Sequence, residues 1–137
     1  MSFKRFAWLI LGSLLAMGAA VFALISVNLI GGTLAPWLGF PAGGTGRLAW
    51  DLAWTIAGGT AAIAAATCCA PAAPRRHALA CFAALLLATV YAVTQLGGDF
   101  PRWFCIGLLL SLPLQGWLGA TWALKLKHRR QPSQDSA

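Results

Sequence analysis

Long apolar stretches constrain this chain more than any other feature. Residues 6–30 form 25 consecutive positions without a charged side chain. A helix needs about 20 apolar residues to cross a hydrocarbon core of about 30 Å. Comparable runs follow at about 48–70, 78–96 and 103–126. They predict an all-α membrane protein, one bundle of four transmembrane helices over residues 1–126, with a basic and polar tail at 127–137. Composition agrees, because 59% of the residues are hydrophobic and only 9% are charged. A soluble domain carries about 25% charged residues. Lys4-Arg5 before the first run resembles the start of a secretory leader, but the apolar core of a leader is about 7–15 residues. The run is therefore read as a retained spanning helix.

Charge placement predicts topology. The net charge is +7. Lys4, Arg5, Arg75, Arg76, Lys125, Lys127, Arg129 and Arg130 flank the runs at the two ends and the middle turn. Only Arg47 and Arg102 fall in the other two connections. Lys and Arg concentrate on the cytoplasmic side of multi-pass proteins. Two helical hairpins with both termini cytoplasmic, in a bacterial inner membrane, are the expectation. Clustered charges between apolar runs make no continuous basic face, so a nucleic-acid partner is not expected.

The connections are predicted from their Gly and Pro residues. Residues 31–46 contain six glycines with Pro36 and Pro41, a density that stops a helix. Arg75 and Arg76 with two prolines mark a polar turn. The two outer connections share an amide, a Gly pair, a Pro and a Trp (Asn28, Gly31-Gly32, Pro36-Trp37; Gln95, Gly97-Gly98, Pro101, Trp103). Interfacial turns in general use these residue types, which explains the echo more simply than duplication. Trp37, Trp50, Trp54 and Trp103 are expected to form an outer aromatic belt. Trp8 and Trp122 belong near the inner side, and Trp117 between helices.

Lipid gives helices no hydrophobic drive to associate, so small side chains must permit close contact. Ala80, Ala84, Ala88 and Ala92 form a four-residue stripe. Gly58, Ala62 and Ala66 form another, and Gly107, Ser111, Gly116 and Ala120 mark the last run. These stripes predict that the second and third helices pack most tightly. Pro113 should kink the fourth helix, with Gln115 satisfying carbonyls it frees.

Candidate chemistry is sparse. Asp51 is the only acidic residue in or near a predicted helix, and Arg47 stands four residues before it, in pairing register. A carboxylate in a membrane helix points to a proton- or cation-linked site; near a helix start it is also favoured by the dipole. Asp99 and Arg102 bracket Pro101, and the four charges are expected to gather as an outer-face polar cluster. Thr67-Cys68-Cys69-Ala70-Pro71 resembles, over five residues, the vicinal-thiol segment of small mercury-transport membrane proteins. That resemblance implies soft-metal handling by Cys68 and Cys69, although the second cysteine pair of such a relay is missing. Cysteine at a helix end is otherwise a small apolar filler. His77 and His128 fall outside the predicted helices, which argues against bis-histidine haem ligation. No catalytic triad, phosphate loop or metal motif is present, so neither an enzyme nor a resident cofactor is expected. The leading expectation is a non-catalytic accessory or structural subunit that meets lipid and other membrane subunits, or itself. The alternative is a small transporter or lipid-handling protein working at Asp51.

Overall fold

The computed structural model of the chain describes residues 2–129. Its helices are α1 (Phe3–Trp37), α2 (Thr45–Cys69), α3 (Pro74–Leu96) and α4 (Arg102–Arg129), with one 3-10 turn at Gly97–Asp99. All four α-helices are long and apolar enough to cross a membrane. Much of their apolar surface faces outward: Leu14, Leu15, Phe22, Leu87 and Leu110 are each at least 65% exposed. Such a surface suits a hydrocarbon solvent.

Helix bounds differ from the sequence expectation in one informative place. The break expected over residues 31–46 begins only after Trp37, and α1 runs through Gly31 and Gly32. The role of Gly31 is close approach, not chain reversal, since Trp54 of α2 lies where a Gly31 side chain would stand. Pro36 sits in the last turn and leaves the Gly32 carbonyl without its N–H donor; Arg47 Nη2 reaches that carbonyl at 3.5 Å. The echo between the 31–46 and 97–102 connections fails here, because Gly31-Gly32 is helical while Gly97-Gly98 lies in the 3-10 turn. At the other junction Pro74 opens α3, a position that needs no backbone N–H. The helix expected to end at residue 126 continues to Arg129, and the remainder of the tail, from residue 130, falls outside the described residues.

Packing also differs from the prediction. α2 packs most extensively against α1, then against α4, and much less against α3. Gly58, Ala62 and Ala66 are buried on α2, as its stripe suggested. The core joins Ala20, Ala62, Ile63, Ala66, Ala78 and Cys81, with Met17, Leu24, Phe82 and Ala120 against it. Ala80, Ala84, Ala88 and Ala92, by contrast, are all exposed. α3 meets the bundle through Ala78, Cys81, Phe82 and Leu85 instead. A stripe of small residues shows where a helix can be approached, not which helix approaches. α4 also approaches the α2 backbone at Gly119, buried on α4, where an added side-chain carbon would stand 2.7 Å from the Thr60 carbonyl oxygen and 2.8 Å from Ile63 Cβ.

Two amides enter this apolar interior against adjacent residues of α2. Asn28 of α1 lies over Gly58, and Gln115 of α4 lies over the next residue, Gly59. Asn28 Nδ2 donates to the Leu24 carbonyl at 2.9 Å, and Asn28 Oδ1 lies 3.4 Å from Thr55 Oγ1. Gln115 Nε2 donates to Ser111 Oγ at 2.9 Å. Gln115 thus serves a side chain rather than a carbonyl freed by Pro113. Trp117, expected between helices, is 64% exposed instead.

Candidate functional site

The candidate site lies where the last turns of α1 meet the first turns of α2. Four-residue spacing on one helix places Arg47 and Asp51 on a single face. Arg47 Nε donates to Asp51 Oδ1 at 2.9 Å and to Oδ2 at 3.0 Å. Its Nη2 reaches the Gly32 carbonyl at 3.5 Å. Thr55 Oγ1 donates to the Asp51 carbonyl at 2.8 Å. The pair is partly exposed, 21% for the arginine side chain and 36% for the aspartate. At that exposure it contributes at most about 1 kcal/mol.

Aromatic rings pack on one another next to the pair in the chain. Trp50 Nε1 donates to the Gly31 carbonyl at 2.8 Å. Phe40 stacks on Trp50 with ring centroids 5.4 Å apart, and Trp54 continues the row at 5.7 Å. Helical spacing puts Trp50 and Trp54 on one side of α2, and both meet the bare backbone of Gly31. Amphipathic rings with a bonded N–H suit this depth, half apolar and half polar.

Of the four charges expected on one face, Arg47 and Asp51 form the only ion pair among the described residues, and Asp99 and Arg102 are both exposed. Of the four tryptophans expected in a belt, Trp50 and Trp54 lie side by side at 5.7 Å with rings tilted by 50°, Trp103 packs edge-on against Phe104 at 5.9 Å, and Trp37 is 88% exposed. Gly107 accommodates Leu52 of α2, and Ser111 is buried beneath Gln115.

The thiols are dispersed. Cys68 Sγ lies 4.0 Å from the Ala123 carbonyl oxygen, Cys69 is exposed, and Cys81 is buried in the core. Adjacent helical residues point about 100° apart, which separates vicinal side chains. No group of three potential metal ligands occurs among the described residues. His77 lies within the first turn of α3, not outside the helices; its Nε2 is 3.0 Å from Ser13 Oγ of α1.

Sequence reasoning missed Gly31, Gly59 and Gly119 as contact points, and Asn28 and Gln115 as amides seated on the glycines of α2. The adjacent Gly58-Gly59 in a predicted span was the available signal. No protein-family model, curated protein or solved structure matches this chain.

Proposed function

We propose that this chain is a non-catalytic accessory or structural subunit of a larger assembly in a bacterial inner membrane. It crosses as two hairpins, α1–α2 and α3–α4, with both termini in the cytoplasm, as the basic clusters favour. One observation carries the reading. Ala80, Ala84, Ala88 and Ala92 give α3 an exposed small-residue face inside a membrane-spanning segment. Such a face lets another helix approach to backbone distance. The occupant is another membrane subunit or a second copy of this chain.

Crosslinking in native membranes, then extraction in mild detergent, tests this. The chain is expected in a larger species, and Ala84→Trp with Ala88→Trp should release it. Both sites point away from the bundle, so thermal unfolding of the free chain should change by no more than about 0.5 kcal/mol. A chain that migrates alone from crosslinked membranes refutes the proposal.

The transporter reading has less support, because Asp51 is already partnered by Arg47 on its own helix. Asp51→Asn is expected to leave growth and transport phenotypes unchanged and to cost no more than about 1 kcal/mol in detergent unfolding. An intact fold with abolished uptake or efflux would favour the transporter instead.

A further inference from the structure

Along the seam between α3 and α4, at the end that carries Arg75, lies an open groove of about 340 Å³. Ala78, Leu79 and Phe82 of α3 and Pro113 and Trp117 of α4 form its apolar walls, and Arg75 stands among its lining residues. Phe82 lies directly on Gly116, with only 3.0 Å between a ring carbon and the place a Gly116 side chain would begin. The missing side chain sets the depth of the groove. From Arg75 to Phe82 is two helical turns, about 10 Å along the axis. The groove therefore runs from a charged mouth roughly a third of the way into the hydrocarbon.

Charge accounting indicates what fills it. The chain has ten Lys and Arg but three acidic residues. Of these, Asp51 is paired with Arg47 and Asp99 follows the far end of α3. No described acidic residue lies at the Arg75 end, where Lys4, Arg5, Arg76, Lys125, Lys127 and Arg129 also collect. Contacts between Ser13 and His77 and between Lys127 Nζ and the Ala70 carbonyl (3.3 Å) bring these segments together. The counter-charge for this rim has to come largely from outside the chain. A guanidinium matches a phosphodiester in shape and charge, and basic pockets between membrane helices hold anionic headgroups.

We propose that this groove seats one anionic phospholipid. An acyl chain runs along Leu79, Phe82 and Trp117, and the phosphodiester rests on Arg75. A second opening on the same seam is lined by Arg102 at the opposite end. Asp99 stands three residues before that arginine, so the local charge there is lower and the anionic preference belongs to Arg75.

The test uses the full chain in mild detergent, titrated with phosphatidylglycerol or with phosphatidylcholine of the same acyl chains, and native mass spectrometry. One phosphatidylglycerol should be retained about fivefold more than phosphatidylcholine, the effect of one basic residue near an anionic surface. Arg75→Gln, at an exposed position, should remove that preference. Leu79→Trp, which fills the groove without altering charge, should reduce retention of both lipids. Arg102→Gln should leave the preference intact. Unchanged retention in Arg75→Gln or in Leu79→Trp overturns the proposal. So does an equal loss in Arg102→Gln, or displacement of the lipid by inorganic phosphate, which would show a charge site without a groove.

Discussion

Gly119→Val is expected to separate α4 from α2 and to destabilise the protein by about 3 kcal/mol, at the upper end of overpacking costs. The first side-chain carbon would meet the Thr60 carbonyl oxygen at 2.7 Å and Ile63 Cβ at 2.8 Å. Neither is the tip of a flexible side chain. One is backbone, and the other is the branch point of a residue only 1% exposed. Valine cannot rotate its first carbon away, and its branching restricts the remaining rotamers. Relief requires the helices to move apart, and close contact is what holds helices together in lipid. Gly18→Val supplies the control, because nothing lies within 4 Å of that site. Unfolding in mixed micelles of rising dodecyl sulfate content should show Gly119→Val melting much earlier and Gly18→Val unchanged. Equal stability of the two variants would contradict the α2–α4 contact.

Gly31→Val is the second large effect, also about 3 kcal/mol, and it acts on the candidate site. Trp54 occupies the space a side chain would need. Displacing it disturbs the Trp50 ring beside it, and with that the Trp50 bond to the Gly31 carbonyl. Tryptophan emission should shift to longer wavelength as the stack opens, alongside the lost stability. The adjacent Gly32→Val should do little, since only an Arg47 nitrogen at 4.0 Å is near. Indistinguishable emission in the two variants would mean that Trp54 does not rest on Gly31.

Part of this arrangement was legible in the sequence. The four spans follow from run length, and the Arg47–Asp51 pair follows from four-residue spacing. The Gly58, Ala62, Ala66 face was also readable, because it combines small size with a central place in its run. Gly31 and Gly32 misled, because glycine reads as a helix breaker in water. Within a bilayer the unpaired backbone is so costly that a helix persists through it. The alanine stripe on α3 misled for another reason. Small size is necessary for close packing but does not choose between a neighbour in the chain and one outside it. Asp99 and Arg102 sit in a short connection, and proximity in sequence did not bring their charges together. Asn28 and Gln115 are 87 positions apart, so nothing local linked them through the glycine pair on α2.

That glycine pair also bears on the order of assembly. Gly58 can receive Asn28 as soon as α2 follows α1 into the membrane, because α1 is already there. Gly59 must wait for Gln115, which arrives only with α4. Roughly 60 residues separate the end of α2 from the end of α4, about 3–12 s of synthesis at ordinary rates. Through that interval one side of α2 stays bare to lipid or to the insertion machinery. When α4 enters, its buried amide and Gly119 meet a face that has remained open for them, so α2 is completed last although it is made second.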